Sequence, residues 1–102
     1  MKVPESFRAY LCADYFASEL SETGLWDESA QLRFVLPASE VEERNGGTFL
    51  VVARPGSDGI DFGYRSGLPG IWAYHPYEDT YSFMANTVAE LVEGWYSGRL
   101  SV

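Results

Sequence analysis

FLVVARPGSDGIDFGYRSGLPGIWAYHPYEDTYSFMA, residues 49–85, is the part of the chain in which strand and turn signals are densest. Its opening run, Phe49-Leu50-Val51-Val52-Ala53, is continuously apolar and too short for a buried helix, so it reads as a central strand covered on both faces. Three loops follow, Pro55-Gly56-Ser57-Asp58-Gly59, Ser66-Gly67-Leu68-Pro69-Gly70 and Pro76-Tyr77-Glu78-Asp79-Thr80, each rich in the residues that set turn backbone angles. They lead into strand-like runs at residues 60–64, 71–75 and 81–85. Loops this short join antiparallel neighbours, because a parallel crossover takes about a dozen residues or more. An antiparallel meander is the expectation.

Downstream, Thr87-Val88-Ala89-Glu90 has capping-box spacing, and Val88, Leu91, Val92, Trp95 and Tyr96 fall on one stripe at helical period, with Glu90 and Glu93 opposite and Gly98 as the stop. This predicts a C-terminal helix packed on the sheet. Upstream, Leu32, Phe34 and Leu36 alternate with polar or smaller residues before Pro37, a short strand ended by a residue that cannot donate to a ladder. Ser39 and Glu42 have capping-box spacing, so residues 39–44 are expected to form a helical turn or two that Asn45-Gly46-Gly47 stops. At the start, Pro4 and Glu5 suit a helix's first turn, and Phe7, Tyr10 and Leu11 recur at i, i+3 and i+4. That predicts an amphipathic helix over about residues 4–13. Residues 15–30 carry no pattern that assigns an element. The fold class is therefore α+β, one domain over residues 1–102: an antiparallel meander sheet of four to six strands with helices packed on one face, including N-terminal and C-terminal helices.

Composition bounds the function. The 102 residues are 46% apolar and 16% aromatic, enough for a packed core in one small domain. Fifteen acids against seven bases give a net charge of −8, and Lys2 is the one lysine. Nucleic-acid affinity comes from basic side chains that release counterions, and anionic membranes likewise attract cations, so neither is an expected partner. A basic protein is. The single Cys12 excludes an internal disulfide, and no stretch has the apolar length of a membrane span or a leader, so a cytoplasmic address is expected.

The chain offers little chemistry. His75 is the only histidine and no nucleophile motif accompanies it; a small hydrolase or ligand-binding enzyme pairing it with an acid is the rival reading. Cys12 reads as a core residue of the first helix. One His and one Cys make no structural zinc site, and Asp58 and its neighbours do not match a calcium loop, so no metal and no cofactor are expected. The glycines of residues 55–70 match no phosphate-binding motif. What remains is an acidic patch, Asp58, Asp61, Glu78 and Asp79 in neighbouring loops of the meander. Beside it stands an aromatic set, Tyr64, Trp72, Tyr74 and Tyr77. These eight residues are the candidate binding surface.

Five segments resemble the SUKH superfamily in their order: Val3-Pro4-Glu5-Ser6-Phe7-Arg8-Ala9-Tyr10-Leu11, Pro37-Ala38-Ser39-Glu40-Val41-Glu42-Glu43-Arg44-Asn45, Asp58-Gly59-Ile60-Asp61-Phe62-Gly63-Tyr64, Ile71-Trp72-Ala73-Tyr74, and Met84-Ala85-Asn86-Thr87-Val88-Ala89-Glu90-Leu91-Val92-Glu93-Gly94-Trp95. That superfamily includes bacterial immunity proteins against polymorphic toxins, many of them nucleases, and fungal regulators of cell-wall synthesis. The resemblance implies an α+β fold, no catalytic residues, and either immunity by occlusion of a basic toxin domain or a regulatory scaffold role.

Overall fold

A computed structural model describes residues 2–102. The fold class is the expected one: an antiparallel sheet of seven short strands with three α-helices, one of them C-terminal. β4 (Phe49–Ala53) lies inside the sheet with all five residues buried. One of its edges pairs along its length with β5 (Asp61–Arg65), and the meander continues through β6 (Ile71–His75) to β7 (Thr80–Ala85). Its other edge is shared. β3 (Glu42–Arg44) takes the first half, Arg44 opposite Phe49 and Glu42 opposite Val51. β2 (Leu32–Val35) takes the end, where the Leu36 and Arg54 N–H groups donate to the carbonyls of Val52 and Phe34, both at 2.8 Å. β1 (Leu25–Asp27) flanks β2.

β3 replaces the helix expected over residues 39–44. Pro37 is followed by a single 3-10 turn, Ala38–Glu40, and Val41 is already extended. Asn45, Gly46 and Gly47 all take positive φ, at 56°, 71° and 83°. Such a turn stops a helix, and it equally reverses a strand into a hairpin. The unpaired half of the β4 edge decides between the two, since a buried strand's N–H and C=O groups need a ladder partner.

The N-terminal helix expected over residues 4–13 is also corrected. A 3-10 turn at Glu5–Phe7 gives way to an extended crossing, in which Tyr10 bridges Ser66 and the Gly67 N–H donates to Ala9 O at 2.9 Å. The β5–β6 turn thus draws its hydrogen bonds from the backbone that a helix would have consumed. α1 (Ala13–Ala17) starts after Cys12, so the thiol precedes a helix rather than sitting inside one. Residues 15–30, unassigned from sequence, hold the rest of α1, α2 (Leu20–Thr23) and β1.

The helices cover one face. There Tyr15 and Phe16 from α1 and Val88 and Leu91 from α3 (Val88–Tyr96) pack on Leu50, Val52, Phe62, Tyr64 and Ile71. Trp95 stacks on Phe34 with centroids 5.6 Å apart and meets Phe62 edge-on. Tyr96, expected within the packed stripe, is half exposed and touches Phe34 only with its ring edge. The N-cap half of the capping box forms, with Thr87 Oγ1 accepting from the Glu90 N–H, while Glu90 Oε2 reaches one residue past the cap to accept from the Asn86 N–H. Asp14 of α1 ties three elements, accepting the Tyr64 hydroxyl at 2.9 and 3.0 Å and the Val88 N–H at 2.7 Å.

Candidate functional site: the helix-free face of the sheet

No helix lies over the opposite face. The register sets its rows: Glu42 and Arg44 on β3, Val51 and Phe49 on β4, Asp61, Gly63 and Arg65 on β5, Tyr74 and Trp72 on β6, Tyr81 and Phe83 on β7. Phe49, Val51 and Leu36 form a small second core here, with Trp72, Tyr74 and Tyr81 half-buried around it. Gly63 makes this possible. A Cβ at that position would stand 2.0 Å from the Leu50 carbonyl oxygen and 3.1 Å from the Phe49 ring, so β4 and β5 approach closely and Phe49 lies over the gap.

Toward β7 the face is aromatic. Trp72 meets Phe83 edge-on at 5.4 Å, Tyr74 lies 5.0 Å from Tyr81, and Phe49 lies 5.3 Å from Tyr81. The Arg65 guanidinium stacks over both Tyr81 and Trp72, 4.1 and 4.8 Å from the ring centroids. Polar tips are fixed at the rim. Asn45 Nδ2 donates to the Tyr81 hydroxyl, the Tyr74 hydroxyl donates to Asp79, and Trp72 Nε1 donates to Pro69 O. The hydrogen bond to Asp79 raises the Tyr74 pKa above the ordinary phenol value. Phe83 remains 50% exposed, so a large ring stands half in water at the outer strand.

Toward β3 the face is ionic. Asp61 accepts from Arg54 Nε at 3.1 Å and lies 3.7 Å from Arg44; Glu42 lies 2.9 Å from Arg44 and 3.2 Å from Arg54. Hydrogen bonds from Arg44, with the nearby Arg54 charge, hold the Glu42 carboxyl below its usual range. Two carboxylates and two guanidiniums balance in charge at this end, while the buried Arg54 Nη2 has Glu42 as an ion-pair neighbour at 3.2 Å but makes no hydrogen bond.

The eight sequence candidates are dispersed by these contacts. Trp72 and Tyr74 lie on the open face. Asp61 leaves the acidic patch, because the residue is 7% exposed and its carboxylate is committed to two arginines. Tyr64 leaves the surface altogether: it faces the helices at 0% exposure with its hydroxyl on Asp14, and burial drives its pKa far up. Asp58 and Glu78 line a shallow depression of about 260 Å³ with His75 and Tyr77, off the aromatic face. Asp79 joins the face through Tyr74, while Tyr77 stands 87% exposed at the loop tip. Arg65, Tyr81, Phe83 and Asn45 are additions. Alternation places Tyr81 and Phe83 on one side of β7, and pairing that strand with β6 sets them opposite Tyr74 and Trp72.

His75 Nε2 lies 2.9 Å from Ser82 Oγ, an exposed cross-strand contact, and no carboxylate bonds the other ring nitrogen. A nucleophile-base pair needs that third, orienting group. Cys12 is fully buried, with its pKa pushed up to about 11 by desolvation, which disfavours a thiolate. Among the described residues no three His, Cys, Asp or Glu side chains are grouped to hold a metal ion, and no helix is long and apolar enough to cross a membrane. The open face offers ring faces, ring edges and one stacked guanidinium. Comparison of the chain with family models, curated proteins and solved structures finds no match.

Proposed function

We propose that the protein is a non-catalytic protein-binding module that docks a basic partner on the helix-free face of its sheet. The observation that carries this reading is the cluster of Trp72, Tyr74, Tyr81 and Phe83 around Arg65, outside the helix-covered core and half in water. Trp, Tyr and Arg dominate interface energetics because they bury large, rigid surface while keeping a polar handle. The net charge of −8 supports a basic partner, since an acidic field speeds encounter by about 10–1,000-fold at low salt. The resemblance to the SUKH superfamily supports the finer reading. In it the chain is a cytoplasmic immunity protein, and the partner is a toxin domain, a nuclease among the options, inhibited by occlusion.

The test separates anchors from field. With a partner captured on the wild-type protein, Trp72→Ala and Phe83→Ala should each raise the off-rate by about tenfold or more with little change in on-rate. Neutralising Asp58 and Glu78, which lie off the aromatic face, should slow association at low salt and flatten its salt dependence, with the off-rate unchanged. Unaltered binding by both aromatic variants would overturn the reading.

A further inference from the structure

β7 closes the sheet on one side and pairs with β6 alone. Its outer edge therefore presents N–H and C=O groups with no ladder partner, a template for another strand. Native edges are normally blunted by charge, proline, a cover or a bulge. Thr80-Tyr81-Ser82-Phe83-Met84-Ala85 contains neither charge nor proline. Its one device is a bulge: the register runs from Thr80 to Phe83 without interruption, then shifts so that Ile71 pairs with Ala85 and Met84 is the extra residue. Residues 80–83 thus remain a regular, neutral, exposed edge. The opposite end of the sheet, β1, is only three residues long and carries Asp27.

Past the bulge, the edge opens into a depression of about 300 Å³ between β7 and α3, floored by Met84 and Leu100 and walled by Glu90 and Glu93. Arg99 pairs with Glu93 at 2.6 Å, and Glu90 spends one oxygen on the Asn86 N–H, so one negative charge is left uncompensated there. Glu78 and Asp79 stand immediately before the other end of the strand. The edge is neutral along its length and acidic at both ends.

We propose that the β7 edge takes an extended segment of a basic protein partner as an eighth strand, with a lysine or arginine of that segment seated between β7 and α3. One set of the added strand's side chains would continue the aromatic face beside Tyr81 and Phe83, and the other would reach toward Glu90. Charge selects the occupant. A second copy of this chain, paired antiparallel, would set the Glu78 and Asp79 of each copy against the Glu90 of the other. The proposal rests on the reading that the protein binds a basic chain, and it supplies main-chain hydrogen bonds that a face of rings lacks.

The test uses the full chain, labelled with nitrogen-15, and a synthetic peptide of about eight residues, alternating threonine and valine with lysine at each end. Two further peptides carry N-methyl groups at alternate residues, one in each register, and a fourth has glutamate ends. The lysine peptide should slow amide exchange at residues 80–83, one N-methylated form should lose binding while the other keeps it, and the glutamate peptide should bind about tenfold or more weakly. Equal binding by both N-methylated forms would overturn the edge. So would shifts confined to Arg65, Trp72 and Tyr74, or edge protection that instead tracks self-association in sedimentation. Absence of any peptide binding, while Trp72→Ala still releases the captured partner, removes the edge and leaves the face standing.

Discussion

Replacing Asp14 by alanine removes the acceptor of two hydrogen bonds with one cut, and their magnitudes can be worked separately. The carboxylate accepts the Tyr64 hydroxyl and the first N–H of α3, on Val88. Tyr64 is at 0% exposure, so in Asp14→Ala its hydroxyl loses its protein acceptor, and an unsatisfied buried hydroxyl costs about 1–3 kcal/mol. Loss of an acidic side chain at a helix N-terminus adds about 1 kcal/mol. The expected total is about 2–4 kcal/mol, read from urea unfolding at constant slope. The double variant with Tyr64→Phe distinguishes this account from general damage. Once the hydroxyl is gone the buried penalty goes with it, so Asp14→Ala/Tyr64→Phe should be more stable than Asp14→Ala alone, and the cycle should deviate from additivity by about 1 kcal/mol or more. An additive cycle, or a loss below about 0.5 kcal/mol in the single variant, would refute the reasoning.

Trp95→Ala should destabilise by about 3 kcal/mol, the low end for a large aromatic because the residue is only half-buried while it stacks on Phe34 and meets Phe62 edge-on; urea unfolding checks it, and a change under about 1 kcal/mol would mean that α3 does not depend on this contact. Burial raises the pKa of Tyr10 and of Tyr96 to about 12 and drives Tyr15 and Tyr64 higher. Folded-state values above the unfolded value of about 10 mean that stability is intact below pH 10 and falls as pH rises toward 12. Absorbance of ionised tyrosine should then climb cooperatively with loss of the fold. Cys12, buried and with its pKa at about 11, should be inert to a thiol reagent at pH 8 in the native protein and react fully in urea; native-state reaction at the unfolded rate would contradict its placement.

What was legible from the sequence is the part in which local pattern and tertiary need agree. The continuous run at Phe49–Ala53 is too short for a buried helix and forms a strand buried on both sides, and Thr87 caps α3 as its spacing predicts. The two misread helices fail for one reason. Residues 8–12 and 42–44 both have helical-looking patterns, yet each lies beside backbone that needs a partner, the Gly67 N–H in one case and the free half of β4 in the other. Long-range demand of this kind leaves no local mark. For the site, alternation within a strand puts Trp72 and Tyr74 on one side of β6, whereas the sequence reading groups them with Tyr64 and Tyr77 by residue type alone. Removing Tyr64 required its parity against Gly63, because a strand that skips from Phe62 to Tyr64 points both rings at the helices. Asp61 was lost to pairing: its arginine partners come from β3 and from the residue after β4, one of them an element the sequence did not suggest.

The Asp14 tie bears on how the chain acquires this structure in time. β4 to β7 are successive hairpins, each closed by a short loop, and such contacts form early because little chain entropy is lost in making them. The hydrogen bonds that Asp14 accepts span 50 residues to Tyr64 and 74 to Val88. They are the slow closures. Until α3 docks, α1 alone covers the face that carries Leu50, Val52, Phe62 and Ile71, so part of that apolar surface stays open to aggregation until residues 88–96 have emerged and packed, however early the strands assemble.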